Sequence, residues 1–173
     1  PSVGYFGSLG KAQGIDTIVE LANKNPNINF LICGDGSEKE KITKLSKKLN
    51  VSNLVILKTL DENSLIRKYS EVNILFSQLS YDFKSALPSK LYEYLSTGKC
   101  ILYSGTGEAA NFLNHFENCH IVDYGDVNAI DEKLKFIVKE NHYLSISKKN
   151  REQIRKRFIR EELVTSFYDD ISW

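Results

Sequence analysis

Short apolar runs alternate with amphipathic stretches along most of the chain, and Gly, Asn, Asp or Pro marks each junction. The stretches between the runs repeat apolar residues at the three- and four-residue spacing of a helix. The runs of strand length cover residues 3–6, 29–33, 54–57, 72–77, 100–103 and 120–122. Strands that alternate with helices form a parallel sheet covered on both faces. The pattern therefore predicts an α/β fold, a Rossmann-like doubly wound parallel sheet of about six strands with flanking helices.

The C-terminal part of the chain, residues 142–173, has no strand-like run and predicts two helices. Residues 147–160 contain seven basic side chains and one acidic side chain, Glu152, while Ile154 and Phe158 keep an apolar stripe. A basic amphipathic helix can lie on a membrane surface, but more often it packs by its apolar face. We expect the second arrangement.

Composition narrows the class of protein. The chain has 173 residues, 42% of them hydrophobic, and its 23 basic and 22 acidic side chains give a net charge of +1. This charge supplies no field that would gather nucleic acid. Three cysteines lie far apart in apolar stretches, as free thiols of a cytoplasmic protein do. The chain contains no methionine and begins at Pro1, so we expect it to be a piece of a longer protein.

Four of the predicted strands are followed by loops that could contact a ligand, because open α/β sheets bind ligands at the carboxyl ends of their strands. Residues 7–14 follow the spacing G-x-x-G-x-x-x-G, which is neither the dinucleotide fingerprint nor a P-loop. Gly34-Asp35-Gly36 could be no more than a tight turn. In residues 58–61, Asp61 is placed to cap the next helix.

The most informative loop comes before the fifth strand, at residues 86–99. Pro88 suits the first turn of a helix and Gly98 its C-terminal end, so the amides of Ser89 and Lys90 should be unpaired and able to bind an anion. Glu93 lies on the same helix face, where its carboxylate could accept hydrogen bonds from both hydroxyl groups of a ribose. The alternative is that Lys90 and Glu93 form only a surface ion pair.

Other side chains give weaker signals. His115, His120 and His142 share no ligand spacing with the cysteines, so we expect no metal site. The aromatic side chains that fall within predicted strands and helices are expected in the core. They are Phe30, Phe76, Tyr103 and Phe136.

Four stretches together resemble a known family. They are GYFGSLGKAQGID at residues 4–16, FLICGDG at 30–36, LPSKLYEYL at 87–95, and Gly125-Asp126. In order and spacing they resemble the C-terminal, donor-binding domain of a family 4 glycosyltransferase of the GT-B fold. The resemblance is strongest to the bacterial surface-polysaccharide branch that includes fucosamine transferases, and it extends over nearly the whole chain.

The resemblance implies a site for a nucleotide sugar. Glu93 matches the carboxylate that binds the ribose, and Ser89 and Lys90 match the helix start that meets the diphosphate. The base lies near Lys58 and Leu60. Glu93 and Lys90 take the catalytic positions. The implied binding residues are Gly7, Ser8, Lys11, Gln13, Gly34, Lys58, Leu60, Ser85, Ser89, Lys90, Leu91 and Glu93.

The sequence departs from the family pattern at three positions. Ser85 stands eight residues before Glu93, where the typical motif has a glutamate that contacts the sugar. Ser8 and Gln13 stand where many members have an arginine and a lysine for the diphosphate. Lys11 or Lys90 could replace that positive charge.

As an activity, the resemblance implies retaining transfer of a glycosyl unit from a nucleotide diphosphate sugar, UDP-linked, in capsule or O-antigen synthesis. No metal or other cofactor is expected, since a helix N-terminus and lysines can stabilise the leaving diphosphate. Residues 1–173 would then be the donor domain, binding donor without turnover. The missing N-terminal domain would bind a sugar or lipid-linked acceptor.

Some expectations concern the full-length protein and the alternative functions. The stripe of Leu163, Phe167 and Ile171 would pack on the missing domain, and peripheral contact of the full-length protein with the inner face of the membrane stays open. Two alternatives also stay open: half of a UDP-sugar 2-epimerase, and a non-catalytic nucleotide-binding module.

Overall fold

The computed structural model describes residues 1–157 of the chain. Six parallel strands form one sheet in the order β3-β2-β1-β4-β5-β6. The strands are β1 (Ser2–Phe6), β2 (Asn29–Cys33), β3 (Leu54–Leu57), β4 (Ile74–Gln78), β5 (Cys100–Ser104) and β6 (Cys119–Val122). The predicted doubly wound fold is confirmed. The fourth strand begins two residues later than predicted, because Val72 is the C-terminal cap of the preceding helix.

Helices cover both faces of the sheet. They are α1 (Asp16–Lys24), α2 (Lys39–Lys48), α3 (Glu62–Glu71), α4 (Lys90–Thr97), α5 (Glu108–Leu113) and α6 (Val127–Lys139). Three short 3-10 turns lie at Lys11–Gln13, Tyr81–Phe83 and His142–Leu144, and residues 148–157 are helical. As predicted, Asp61 caps α3, its carboxylate accepting a hydrogen bond from the Ser64 amide.

The alternation of side chains along the strands divides the core into two layers. Tyr5 of β1 packs in the layer under α1, α2 and α6, whereas its neighbour Phe6 packs in the layer under α3, α4 and α5. One expected core residue lies elsewhere: Phe136 is 44% exposed, because the buried face of α6 is formed by Ile130, Leu134 and Ile137.

The helical residues 148–157 pack by one face, as expected. Ile154 is buried among side chains of the second layer, and the Asn150 side chain exchanges hydrogen bonds with the backbone of Glu117. Phe158, the other residue of that stripe, lies outside the described residues. So does the predicted second helix, with Leu163, Phe167 and Ile171. Among the residues that the structure describes, no helix is both long enough and apolar enough to cross a bilayer.

The strand order reverses between β1 and β4, which are neighbours in the sheet. In doubly wound folds such a switch point leaves a crevice at the carboxyl ends of the strands, where ligands bind. The loops after β1 and β2 and the start of α4 meet there.

Candidate functional site

The loops after β1 and β2 touch each other through their backbones. The Gly7 amide donates a 2.9 Å hydrogen bond to the Cys33 carbonyl, and the Leu9 amide donates a 2.8 Å bond to the Asp35 carbonyl. A Cβ atom on residue 34 would lie 1.8 Å from the Gly7 carbonyl oxygen, so only glycine permits this approach. The paired loops form one wall of the crevice.

Helix α4 supplies the facing wall and begins at Lys90, with Ser89 as its N-terminal cap. The amides of the second and third helical residues are already used, since Leu91 donates to the Pro88 carbonyl and Tyr92 to the Ser89 carbonyl. The amides of Ser89 and Lys90 have no hydrogen-bond partner within residues 1–157. They carry the positive end of the helix dipole, which attracts anions.

A cavity of about 440 Å³ lies between these walls. Its lining includes predicted site residues from four parts of the chain: Gly7, Ser8, Gly34, Leu60, Ser89, Lys90 and Glu93. These residues are far apart in the sequence, and the sheet topology brings them to one edge.

The other predicted site residues do not line this cavity, each for a physical reason. Gln13 turns its side-chain oxygen back to the Gly10 amide, and Leu91 is buried in the core. Lys58 is exposed and presents its backbone carbonyl to the Cys33 thiol. Lys11, in the first 3-10 turn, and Ser85, between β4 and α4, are exposed away from the cavity wall.

Lys90 is the cation that faces the cavity, and its side chain is largely withdrawn from solvent. Its Nζ donates a 2.7 Å hydrogen bond to Oη of Tyr5 and lies 4.1 Å from the centroid of the Tyr5 ring. Burial lowers the pKa of Lys90 to about 8, against a smaller upward effect of Glu93. The side chain is therefore still mostly charged at neutral pH, but it is poised to lose its proton.

Glu93 lies one turn further along α4, with its carboxylate at the cavity surface. Its Oε2 accepts a 2.6 Å hydrogen bond from Oη of Tyr69, on α3. Within the described residues, Lys90 and Glu93 form no ion pair with each other, because each side chain is turned toward a tyrosine instead. The surface-pair alternative is therefore not what the structure contains.

An aromatic cluster next to the cavity holds the end of β1 and the Tyr69 hydroxyl group in place. The rings of Phe6 and Tyr69 meet edge to face with centroids 4.6 Å apart, and Tyr69 contacts Tyr94 at 5.9 Å. The Phe6 amide donates a 2.9 Å hydrogen bond to Oη of the fully buried Tyr94. The end of β1 and the Tyr69 hydroxyl are therefore held at defined positions.

A second, larger cavity of about 800 Å³ adjoins the first between α3 and α4. The two cavities share Leu65, Tyr69 and Glu93. The Glu93 carboxylate thus stands where they meet.

Residues 1–158 match the family described as "Glycosyl transferases group 1". The chain belongs to the group 1 glycosyltransferases. It is 25% identical over 160 residues to a 2-deoxystreptamine N-acetyl-D-glucosaminyltransferase of Niallia circulans, and 22% identical over 169 residues to the lipopolysaccharide core biosynthesis glycosyltransferase LpsE of Rhizobium meliloti. These matches cover 90% and 96% of the chain but only 41% and 48% of the relatives. The chain therefore spans less than half the length of these relatives.

Solved structures share the fold of this group 1 glycosyltransferase chain. Anabaena Alr3699/HepE, solved with UDP and glucose, superposes with a TM-score of 0.81 at 12% identity, over 96% of this chain and 48% of that one. S. aureus TarM, in a complex that includes UDP, has a TM-score of 0.78 at 18% identity, over 97% and 34%. The C-terminal domain of LpcC from Francisella tularensis has a TM-score of 0.72 at 16% identity, over 91% and 85%.

Two tyrosines of this group 1 glycosyltransferase chain were missed by the sequence analysis. Tyr5 lies within a predicted strand, where an aromatic residue indicates only a core position. Tyr69 lies four residues after Leu65, a spacing that places both on the inner face of α3. No sequence signal identifies their polar partners, since Lys90 and Glu93 belong to another helix.

Proposed function

We propose that this chain is the donor-binding, C-terminal domain of a longer glycosyltransferase, and that its cavity binds a nucleoside diphosphate sugar. The observation that carries the proposal is that positively charged groups and a carboxylate lie along the same cavity wall. The unpaired amides of Ser89 and Lys90 and the Lys90 ammonium group lie at one end, and the Glu93 carboxylate lies one helical turn away.

This arrangement matches the chemistry of a nucleoside diphosphate. The diphosphate would lie against the two amides, the Lys90 ammonium group and the Gly7 loop. The ribose hydroxyl groups would donate to Glu93, whose carboxylate keeps acceptor sites beyond the one taken by Tyr69. The base would extend toward Leu60, in the loop after β3. We propose that the base is uracil, since two neighbours of the same fold were solved with UDP.

The proposed reaction is transfer of the sugar with retention of configuration. Negative charge accumulates on the diphosphate as its bond to the sugar breaks. Groups already aimed at that charge stabilise the transition state more than the bound donor. In this chain those groups are the start of α4 and Lys90, and we propose that they act without a divalent metal.

The remaining machinery is proposed to lie outside the chain. An N-terminal domain would bind the acceptor, a sugar or a lipid-linked sugar, and residues 1–173 alone would bind donor without transferring it. The relatives are a 2-deoxystreptamine N-acetyl-D-glucosaminyltransferase and a lipopolysaccharide core biosynthesis glycosyltransferase. The lipopolysaccharide relative and the Pro-Ser-Lys helix start support a role in bacterial surface polysaccharide synthesis. We propose that the full-length protein belongs to the fucosamine-transferase-like branch and acts in the cytoplasm, at the inner face of the membrane.

Calorimetric titration of the chain with UDP, GDP and ADP tests the donor site. We expect UDP to bind best, and Glu93→Gln to weaken it by about 1.5 to 3 kcal/mol, the usual worth of hydrogen bonds to a charged group. Glu62→Gln is the matched control, since Glu62 is an exposed glutamate that lines only the adjoining cavity. If no nucleotide binds at millimolar concentration while circular dichroism shows a folded chain, this chain is not a donor domain.

A further inference from the structure

The Lys90 ammonium group belongs to a short chain of hydrogen bonds. Lys90 Nζ donates to Oη of Tyr5 at 2.7 Å, and Tyr5 Oη donates in turn to the Ser8 carbonyl at 2.5 Å. Because the phenol proton is committed to Ser8, the oxygen meets Lys90 as an acceptor. Three groups from β1, the loop after it and α4 are thereby locked into one arrangement.

The lysine reaches Tyr5 by an unusual route. Tyr5 is fully buried in the layer under α1 and α6, whereas α4 packs on the other face of the sheet. The lysine side chain spans from one face to the other past Gly7. A Cβ atom on residue 7 would lie 2.7 Å from Nζ and 3.0 Å from Cε of Lys90, and Gly7 has a φ of +135°. Glycine at position 7 therefore leaves the space that the lysine head occupies.

We propose that Tyr5 is a positioning residue, which holds the Lys90 ammonium group against the Gly7 loop so that an arriving nucleoside diphosphate meets a cation already in place. This inference rests on the proposed function and adds a residue that acts on the diphosphate only through Lys90. It also accounts for two departures from the family pattern. One positioned lysine replaces the two cationic side chains that many members have at positions 8 and 13.

The chemistry of the partner favours this role. A neutral phenol orients the ammonium group without neutralising it, whereas a carboxylate partner would have to be displaced. The ammonium group has three N–H donors, so it can keep its bond to Tyr5 and at the same time donate to a diphosphate, whose negative charge attracts it.

The charged groups around the lysine leave it available. Glu93 is one turn away and is bonded to Tyr69, and Asp35, on the loop after β2, is paired with Lys39 at 3.1 Å. Burial raises the pKa of Tyr5 and of the Cys33 thiol, so both stay neutral. Burial also lowers the pKa of Lys90 to about 8, and a bound diphosphate would raise it again.

A double-mutant cycle tests whether Tyr5 acts through Lys90, with binding of UDP and of uridine measured by calorimetry at pH 7. Tyr5→Phe should weaken UDP binding about 3- to 10-fold, and Lys90→Met about 10- to 100-fold, the range expected for lost hydrogen bonds to a charged group. In the Lys90→Met background, Tyr5→Phe should not weaken UDP binding any further. Uridine affinity should be the same in all four proteins.

The matched control is Tyr103→Phe, which also removes a buried hydroxyl group. Oη of Tyr103 has no hydrogen-bond partner in the described part of the chain, and the residue does not line the cavity. This variant should bind UDP and uridine like the wild type. The positioning role would be overturned if Tyr5→Phe weakened UDP binding equally in the wild-type and Lys90→Met backgrounds. It would also be overturned if Tyr5→Phe weakened uridine binding as much as UDP binding.

A second measurement needs no variant and therefore does not depend on how Tyr5→Phe folds. The rate of Lys90 acetylation, followed by mass spectrometry across pH, should show a midpoint near 8, and saturating UDP should move that midpoint upward. A midpoint that UDP leaves unchanged overturns the inference even where UDP binds. Absence of both UDP and uridine binding to the folded wild type would instead overturn the proposed function, and this inference with it.

Discussion

The hydroxyl group of Tyr69 donates a 2.6 Å hydrogen bond to Oε2 of Glu93, which joins α3 to α4 at the boundary between the two cavities. The Tyr69 ring is clamped by Phe6 and Tyr94, so its hydroxyl group cannot follow the carboxylate if that moves. One carboxylate oxygen is thereby held in place, and Glu93 lines both cavities. In the proposed function, this fixed acceptor would bind the ribose.

Removing this hydroxyl group should loosen ribose recognition while leaving phosphate recognition intact. We expect Tyr69→Phe to weaken uridine and UDP binding by the same factor, about 5-fold, as for loss of one hydrogen bond. The preference for uridine over 2′-deoxyuridine should shrink with it. Calorimetry with the three ligands measures both effects, and Tyr103→Phe again serves as control. A loss confined to UDP would contradict the assignment of Glu93 to the ribose.

The lowered pKa of Lys90, about 8, predicts how binding depends on pH. As the pH rises from 7 to 9, Lys90 of the free protein loses its proton. A growing fraction of the protein must then take up a proton before Lys90 can bind UDP as a cation. We expect UDP affinity to fall about 10-fold over this range, since the charged fraction of a group with that pKa falls about tenfold. Uridine affinity should stay constant.

Lys90→Arg provides the control, because a guanidinium group keeps its charge throughout this range. Its UDP affinity should be independent of pH between 7 and 9, whatever its absolute value. A wild-type profile as flat as that of Lys90→Arg would mean that Lys90 does not contact the diphosphate.

The sequence predicts the fold better than it predicts the site. The strand runs, the Asp61 cap and the helix end at Gly98 are all set by local rules of period and capping, and the structure confirms them. The site depends on contacts between distant elements. Tyr5 meets Lys90 across 85 positions, and the sequence alone cannot specify such a pair. Gln13 was predicted to bind a ligand, but its side-chain oxygen accepts a hydrogen bond from the nearby Gly10 amide instead.

The contact between the loops after β1 and β2 predicts a strict requirement for glycine at position 34. In Gly34→Ala, the new Cβ would lie 1.8 Å from the Gly7 carbonyl oxygen, and backbone must move to relieve it. We expect a loss of about 2 to 4 kcal/mol in the free energy of unfolding, the range of severe overpacking. Urea unfolding measures it.

Gly125→Ala separates a clash from backbone strain. Gly125 has a φ of +74°, but a Cβ there would meet no atom within 4 Å. This variant should cost only about 1 kcal/mol, the strain of an alanine in the left-handed region. Similar losses in the two variants would mean that the loops can separate freely.

The stacked pair of His120 and His142 predicts that acid destabilises the fold at a point outside the cavity. Their rings lie 5.1 Å apart at 22°, with His142 Nδ1 3.2 Å from His120 Nε2, and the edge of Phe136 covers both. Burial, with further effects of His142 and Lys133, lowers the pKa of His120 to about 4. In the unfolded chain this pKa is about 6.5.

Between these two values the unfolded chain binds more protons than the folded one, so stability falls as the pH is lowered. From pH 7 to 5.5 we expect a loss of about 1 kcal/mol from His120, a figure reduced for its partial exposure. Urea unfolding at the two pH values measures the loss in the wild type and in His120→Gln, which cannot titrate. The variant should lose correspondingly less stability than the wild type. An equal acid loss in both proteins would show that His120 does not control it.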